Sequence, residues 1–256
     1  MRIALHETGE VGTRTGRILL AERRLEQLGL VGRHPRRGGD SRVEATEDIS
    51  GYDVYVSDDI DDPVAHAREA LAADVSCVLW SDPGETLRGL DDEFAEAGRT
   101  LLVGANLASG IARALASHES ARSDEILEIM CAWTEPGKPL RRGEAVPFPD
   151  PIGPRWGRPY LEDPDGRSFV APVEGEWAAA MARVTSGSGD GIVSSIVGVA
   201  DLGPHLEALA LASAVLTIGD FPFGVVTPAD RPEPYLAAAL DAGLDVAAYT
   251  LTGETS

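Results

Sequence analysis

The first 118 residues alternate between strand patterns and helix patterns, and this alternation restricts the fold more than any other feature of the chain. Residues 2–6 are apolar enough for a buried strand, and residues 16–28 carry apolar side chains at helical spacing. We expect Gly29 to end this helix and residues 30–33 to form a second strand. Alternation of this kind is typical of an α/β fold, a parallel sheet with helices on both faces.

The alternation continues to about residue 118. Strands are predicted at residues 52–57, 75–80 and 99–103, and a helix at residues 109–117. Asp62 followed by Pro63 is typical of a helix start, because the carboxylate caps free N–H groups and proline fits the first turn. Asp82 and Pro83 predict a second helix start of the same kind.

The pattern changes after residue 118, where strands come first and helices follow. The predicted elements are strands at residues 125–133, 177–185 and 192–200, the last two joined by a hairpin, and helices at residues 204–216 and 234–242. We therefore predict a Rossmann-type parallel-sheet domain at residues 1–118. An α+β substrate and dimerisation domain follows at residues 119–256, with its last segment packing back on the first domain.

Charge is distributed unevenly along the chain. The whole protein has a net charge of −20, yet residues 1–42 hold nine arginines against five acidic residues. That segment is therefore about +4 and the remaining 214 residues about −24. Nucleic-acid binding needs positive charge spread over a face, so this pattern disfavours it. One basic region in an acidic protein instead indicates a small phosphorylated ligand.

A glycine turn lies between the first predicted strand and the first helix. Gly9, Gly12 and Gly16 are spaced differently from the usual G-x-G-x-x-G fingerprint. Such a turn lets the backbone approach a pyrophosphate, whose charge the helix N-terminus stabilises. The alternative is a glycine-rich turn that binds nothing.

Arginines follow the second predicted strand, where the choice between the two nicotinamide cofactors is usually made. An acidic residue there accepts hydrogen bonds from the ribose of NAD, whereas arginine pairs with the 2′-phosphate of NADP. The chain has Arg33, Arg36 and Arg37, with no acidic residue before Asp40. This favours NADP over NAD, the alternative being a solvated basic loop.

These motifs together resemble a known group of proteins. The glycine turn, the segment Gly32-Arg33-His34-Pro35-Arg36 and the segment from Tyr52 to Asp58 resemble the nucleotide-binding half of dihydrodipicolinate reductases and saccharopine-dehydrogenase-like proteins. Residues 104–110 are similar to the turn that faces the nicotinamide in the reductases, and residues 224–228 to the closing segment of the saccharopine group. The chain lacks the reductases' paired histidines and their lysine before a Pro-Ser-Gly-Thr turn, so that specific activity is not expected.

The resemblance implies a set of cofactor-binding residues. Gly9, Gly12, Thr13, Arg14 and Gly16 would hold the pyrophosphate, Arg33, Arg36 and Arg37 the 2′-phosphate, Ser57, Asp58 and Ser81 the ribose and nicotinamide side, and Ala105 and Asn106 the underside of the ring.

Candidates for the chemistry lie in the irregular segment after residue 133. Lys138, the only lysine, stands between prolines and could donate a proton to a substrate, or could be an exposed turn residue. Arg141 and Arg142 could bind an acidic substrate. Arg155 and Trp156 could cover a substrate pocket or could pack a long loop.

Other classes of function are disfavoured. The five histidines show no ligand spacing, and neither a serine elbow nor a lysine-bearing P-loop is present, so we predict no metal site and no hydrolase. The N-terminal residues show no secretory signal. Cys77 and Cys131 lie in apolar settings, which predicts free thiols, and the two observations together predict a cytoplasmic protein.

We therefore predict an NADP-dependent oxidoreductase that acts on a small-molecule substrate, without a membrane or nucleic-acid partner, as a homodimer or a larger homo-oligomer. The alternative is a non-catalytic protein that binds or senses a nucleotide on the same scaffold.

Overall fold

Two sheets and seven helices make up the part of the chain that the structure, a computed structural model, describes: residues 1–32, 39–123, 125–134, 139–144, 171, 173–188 and 191–253. The strands are β1 (Arg2–His6), β2 (Gln27–Val31), β3 (Val43–Thr46), β4 (Val54–Ser57), β5 (Ser76–Leu79), β6 (Thr100–Leu102), β7 (Glu125–Thr134), β8 (Trp177–Ser188), β9 (Gly191–Leu202), β10 (Gly224–Val226) and β11 (Ala247–Gly253). The helices are α1 (Glu10–Ala21), α2 (Pro63–Ala72), α3 (Glu85–Arg88), α4 (Asp91–Glu96), α5 (Arg113–Ser120), α6 (Gly203–Thr217) and α7 (Pro232–Asp241).

The first sheet is parallel and has seven strands in the order β10-β6-β5-β4-β1-β2-β3. Strand β1 lies between β2 and β4. Strands β2 and β3 lie on one side of it, and β4, β5 and β6 lie on the other, so the order of the strands reverses at β1. Strand β10, from far along the chain, pairs with β6 at the edge. This arrangement confirms the predicted α/β fold of Rossmann type.

Helices cover both faces of this sheet. Ile3, Ala4 and Leu5 of β1 are fully buried, although consecutive residues in a strand point to opposite faces. Only a strand that is covered on both sides can bury an uninterrupted apolar run, which is why the central strands lack polar alternation.

The second sheet is antiparallel, with strands in the order β11-β9-β8-β7. Strands β8 and β9 form a long hairpin whose pairing runs from Trp177 opposite Leu202 to Ser188 opposite Gly191. The three strands predicted before α6 and the hairpin between β8 and β9 are therefore confirmed, but strands β10 and β11 follow α6, so the prediction that helices alone come after the strands was wrong.

Helix α6 joins the two sheets. It packs against α1 and α7 and also contacts β5 of the first sheet and β8 and β9 of the second. Buried residues such as Leu206, Leu209 and Val215 lie all around the helix rather than on one stripe. A helix that is apolar on every side belongs in the interior of a protein, and α6 is accordingly the centre of the main core.

The prediction for the first helix was wrong at both ends. Helix α1 begins at Glu10 rather than Gly16 and ends at Ala21, and Glu22 already has an extended backbone. Residues 22–26 form a turn, and β2 begins at Gln27, which pairs with Arg2 of β1. Leu25 and Leu28 are buried in either conformation, so their spacing could not distinguish the two.

The glycine expected to end that helix lies in the middle of β2. A Cβ at Gly29 would collide with the ring of Tyr52, whose hydroxyl donates to Glu44 at 2.9 Å. Close approach of an aromatic ring, rather than a helix terminus, therefore accounts for the glycine.

The two Asp-Pro pairs behave differently. Asp62 accepts a hydrogen bond from the N–H of Ala65 at 3.0 Å with Pro63 in the first turn of α2, as predicted. After Asp82 and Pro83 the helix start is delayed to Glu85 and has no side-chain cap, so that prediction was wrong. The carboxylate of Asp82 instead accepts from the side-chain amide of Asn106 at 2.8 Å.

Four further features were not predicted. Strands β3 and β10 form the two edges of the first sheet, and β11 forms an edge of the second. Residues Leu107–Ala112 form a π-helical turn before α5. Among the described residues, none of the helices combines the length and apolar character needed to cross a membrane.

Candidate functional site

The carboxyl ends of the parallel strands place several polar side chains at one edge of the first sheet. His6 ends β1 and Ser57 ends β4, and these two strands are neighbours at the point where the strand order reverses. In open α/β sheets, ligands bind in the crevice at this position. The edge between β1 and β4 is therefore the candidate site.

The glycine turn after β1 forms a group of converging N–H donors. The backbone N–H groups of Thr8, Gly9 and Gly12 lie 2.6, 3.3 and 2.8 Å from carboxylate oxygens of Asp58. The hydroxyl of Thr8 donates to the same carboxylate at 3.0 Å. We call these three N–H groups the anion cradle; they lie at the N-terminus of α1, where the helix dipole also favours negative charge.

The protein's own carboxylate thus lies at a helix N-terminus after a first strand, which is where dinucleotide-binding folds in general hold a pyrophosphate. Asp58 is buried, and the cradle supplies the hydrogen bonds that a buried carboxylate needs. Gly12 is required for this contact, because a Cβ there would lie 2.6 Å from Oδ2 of Asp58 and 2.7 Å from Cβ of Glu7.

Other residues predicted around the turn have local partners. The hydroxyl of Thr13 donates to the carbonyl of Gly9 at 3.0 Å, and Arg14 forms an ion pair with Glu10 at 2.7 Å. Gly16 faces the sheet, since a Cβ there would contact the side chains of Leu5 and Leu28. Of the predicted pyrophosphate residues, Gly9 and Gly12 therefore contribute to the anion cradle through their backbone.

Two histidines and a carboxylate meet beside the cradle. His6 and His66 have ring centroids 4.6 Å apart, and Nε2 of His66 lies 3.2 Å from Oδ2 of Asp59. One ligand atom from each of the three residues lies within 4.8 Å of the others. The pKa of Asp59 is lowered, chiefly by a hydrogen bond from the N–H of Asp61 and then by His66.

Sequence reasoning missed this cluster because its members are far apart in the chain. A signal was nevertheless present: His6 ends one strand, Asp59 follows the next strand of the sheet, and His66 lies in the first turns of the helix that follows. The carboxyl ends of adjacent parallel strands meet at one edge, so residues at these positions are brought together.

The residues predicted on the ribose and nicotinamide side lie along the same edge. Ser57 is buried and accepts from the N–H of Asp59 at 3.1 Å, while Ser81 donates to the carbonyl of Asp59 at 3.2 Å. Ala105 is buried, and Asn106 caps the π-helical turn by accepting from the N–H of Ser109 at 2.7 Å. The two serines therefore adjoin the acidic segment after β4.

A carboxylate from α6 also reaches this region. Oε2 of Glu207 accepts hydrogen bonds from the indole N–H of Trp80 at 2.7 Å and from the N–H of Leu107 at 2.9 Å. Burial raises the pKa of Glu207, and these two donors oppose the shift. The sequence signal that could have found it is a lone carboxylate within an otherwise apolar helix.

The remaining predicted residues divide into two groups. Arg141 and Arg142 are exposed in a turn, where the N–H of Arg141 donates to Glu144 at 2.8 Å. The others lie outside the described residues: Arg33, Arg36, Arg37, Lys138, Arg155 and Trp156.

Known proteins resemble this chain in fold and not in sequence. No family model matches the chain, and no curated protein matches its sequence. Among solved structures, saccharopine dehydrogenase (L-Glu forming) from Saccharomyces cerevisiae is similar with a TM-score of 0.65 and 10% identity, over 98% of this chain and 100% of that one.

Two further solved structures share the fold. An engineered D-amino acid dehydrogenase bound to NADP⁺ gives a TM-score of 0.59 at 13% identity, over 92% of this chain and 95% of that one. Dihydrodipicolinate reductase from Paenisporosarcina sp. TG-14, bound to dipicolinate, gives 0.53 at 11% identity, over 90% and 99%. The resemblance inferred from short sequence motifs is therefore confirmed at the level of the fold.

Proposed function

We propose that the protein is an NADP-dependent oxidoreductase that transfers a hydride between the cofactor and a small, acidic carbonyl, imine or enoyl substrate. The observation that carries this proposal is the anion cradle. Three backbone N–H groups converge on one carboxylate at the helix N-terminus beside the reversal of strand order. The whole-length likeness to NADP⁺-bound and reductase structures supports the same class.

The donor chemistry of the cradle fits a phosphate group. Its donors are uncharged N–H groups, and they already bind an anion, the carboxylate of Asp58. Phosphate oxygens accept hydrogen bonds in the same way as carboxylate oxygens do. The bound dinucleotide would supply or accept the hydride, while this chain binds and orients it.

Dinucleotide binding at the cradle requires Asp58 to move. Two anions cannot share three N–H donors, and their charges repel at short range. We therefore propose that the side chain of Asp58 leaves the cradle when a phosphate enters, so that the wild-type protein binds the cofactor more weakly than its backbone geometry allows.

The remaining parts of the cofactor are assigned by proposal. Strand β2, which lies next to β1, ends at Val31 at the carboxyl edge of the sheet. Arg33, Arg36 and Arg37 would bind the 2′-phosphate of NADP. Ser57, Ser81, Ala105 and Asn106 would line the ribose and nicotinamide side.

The substrate and the proton donor are assigned in the same way. Lys138 would protonate the substrate, with Arg141, Arg142, Arg155 and Trp156 binding its acidic part. The exposed position of Arg141 and Arg142 leaves their guanidinium groups accessible to a small molecule.

The cofactor preference is tested by changing Arg33 and Arg36 together to alanine. We expect the dissociation constant for NADPH to rise at least tenfold, which corresponds to about 1.4 kcal/mol of binding energy. The dissociation constant for NADH should hardly change, because NADH lacks the 2′-phosphate. Equal losses for both cofactors, measured by fluorescence titration, would contradict the assignment.

A second function, non-catalytic nucleotide binding, is favoured by one observation. Asp58 occupies the cradle, and a protein that responds to a ligand rather than turning it over could use such displacement as its signal. NADPH oxidation with a panel of carbonyl, imine and enoyl acids distinguishes the two functions. Turnover with any member supports the enzyme, whereas NADPH binding with no turnover supports the sensor.

A further inference from the structure

The cluster of His6, Asp59 and His66 has the composition of a transition-metal site. Imidazole nitrogen and carboxylate oxygen are ligands of Zn²⁺ and of other divalent first-row metals. The three residues come from the end of β1, the segment after β4 and the first turns of α2. Each is partly buried, so the ligand atoms are held by the fold and remain open to a small ion.

The separation of the ligand atoms fits a common metal ion. Two ligands bound to one tetrahedral Zn²⁺ at about 2.0–2.1 Å lie roughly 3.3 Å from each other. Nε2 of His66 and Oδ2 of Asp59 are 3.2 Å apart. The ligand atom of His6 lies within 4.8 Å of both, so that metal binding requires its ring to move toward the other two ligands.

Each ligand is oriented by a second hydrogen bond, as is usual for metal-binding side chains. The hydroxyl of Tyr55 lies 2.8 Å from Nδ1 of His66 and 3.3 Å from Oε2 of Glu69. When Nδ1 donates to Tyr55 and Tyr55 donates to Glu69, Nε2 of His66 keeps its lone pair for a metal.

The other two ligands are held in a similar manner. The hydroxyl of Ser57 lies 3.4 Å from Nδ1 of His6. The N–H of Asp61 donates to Oδ1 of Asp59 at 2.9 Å, which leaves Oδ2 directed at His66.

A proton on His66 explains only part of this arrangement. A protonated Nε2 would satisfy Asp59, but it gives no reason for a second imidazole 4.6 Å from the first. Negative charge also accumulates here: Asp58, Asp59, Asp61 and Asp62 are consecutive or nearly so. In the described part of the chain, the ion-pair partner found for Asp59 is His66, which is neutral unless it is protonated.

We propose that His6, Asp59 and His66 bind one divalent transition-metal ion, with Zn²⁺ as the reference ion. Three protein ligands leave at least one coordination position for water or for an oxygen of a bound molecule. The site adjoins the anion cradle through the consecutive residues Asp58 and Asp59. This proposal does not depend on cofactor binding, and its test uses no nucleotide.

Cobalt provides the direct test, because tetrahedral or five-coordinate Co²⁺ absorbs visible light according to its ligands. Tag-free protein treated with EDTA is titrated with CoCl₂ and then with ZnCl₂. We expect saturation at one equivalent, a visible spectrum of a nitrogen- and oxygen-ligated site, and displacement of Co²⁺ by Zn²⁺. A concentration of about 100 µM is far above the dissociation constant of a preformed site. Absence of stoichiometric binding of both ions up to that concentration overturns the proposal.

Variants locate the ion. His66→Gln and Asp59→Asn should abolish stoichiometric binding, whereas the matched controls His118→Gln and Asp61→Asn should keep it. Tyr55→Phe retains the packing of the ring and loses only the hydroxyl, so we expect roughly 10–100-fold weaker binding, the usual cost of losing the hydrogen-bond partner that orients a metal ligand. If both His66→Gln and Tyr55→Phe bind the metal ion with unchanged affinity, the ion binds elsewhere and the assignment is overturned. The Tyr55 variant keeps the test decisive if a ligand variant fails to fold.

Discussion

At the scale of single residues, Asp58 determines how the glycine turn should be interpreted. From the sequence, Asp58 was assigned to the ribose side and the glycines to a pyrophosphate. In the structure the carboxylate of Asp58 and the N–H groups of Gly9 and Gly12 are in direct contact. The turn has the geometry of an anion site. The side chain that fills it belongs to Asp58, which directly follows β4, the neighbour of β1 in the sheet, and is 46 positions from Gly12 in the sequence.

Gly12 and Gly16 offer a matched pair of substitutions in the same helix. We expect Gly12→Ala to lower the free energy of unfolding by about 1–3 kcal/mol, the usual cost of overpacking, because its Cβ would press on Asp58 and Glu7.

Gly16→Ala should stay within about 1 kcal/mol of wild type, since its nearest contacts are at 3.3 and 3.7 Å and alanine favours the helix. Urea unfolding monitored by circular dichroism measures both. Equal destabilisation of the two variants would show that crowding at the cradle is not what requires glycine at position 12.

Two arginines of the basic segment, residues 1–42, form hydrogen bonds within the fold. Arg2 donates to Gln27 and to the carbonyl of Gly51, and Arg42 donates to carbonyl groups of Leu20 and Glu22. These arginines therefore join β1 and β3 to their surroundings. The electrostatic argument for a phosphorylated ligand consequently depends on Arg33, Arg36 and Arg37, where it stays a prediction.

At the scale of secondary-structure elements, the central strands of the first sheet could be predicted, whereas the edge strands β3 and β10 and the boundaries between strands and helices could not. Parallel strands that are buried on both faces give apolar runs that stand out in the sequence. Leu25 and Leu28 have apolar spacing that suits a helix, but Leu28 pairs with Ile3 of β1 and belongs to strand β2. Non-local hydrogen bonding overrides local periodicity in this case.

The buried Glu207 of helix α6 makes the stability of the protein depend on pH. Because burial raises the pKa of Glu207 in the folded protein, its ionisation is unfavourable there. Stability that depends on the neutral carboxyl is present at low pH and is lost as the pH rises through the folded pKa. Glu207→Gln keeps an oxygen for Trp80 and Leu107 and cannot ionise.

We therefore expect the stability of Glu207→Gln relative to wild type to increase from pH 4 to pH 8. Thermal unfolding across this pH range measures the difference, and Glu96→Gln, at an exposed position of α4, is the control that should show no such trend. A difference that is constant with pH would mean that the charge of Glu207 is already compensated by its two donors.

At the scale of the whole molecule, the alternation of elements was sufficient to predict a Rossmann-type sheet followed by a second sheet. The sequence could not reveal that α6 lies between the two sheets, because an apolar helix carries no information about its neighbours. The cluster of His6 and His66 was missed because the order of the strands in the sheet, rather than any spacing in the sequence, brings its members together. The domain boundary near residue 118 and dimerisation through the second sheet stay predictions.

The central claim is that a nicotinamide dinucleotide binds at the anion cradle in place of the Asp58 carboxylate. Isothermal titration calorimetry with NADPH, on the wild-type protein and on Asp58→Ala, tests it most directly, with Asp61→Ala as the control for loss of a nearby charge. We expect NADPH to bind both proteins, with an affinity about tenfold or more higher for Asp58→Ala, equivalent to about 1.4 kcal/mol. No heat with either protein at millimolar NADPH, or weaker binding by Asp58→Ala than by the wild type, would contradict the claim.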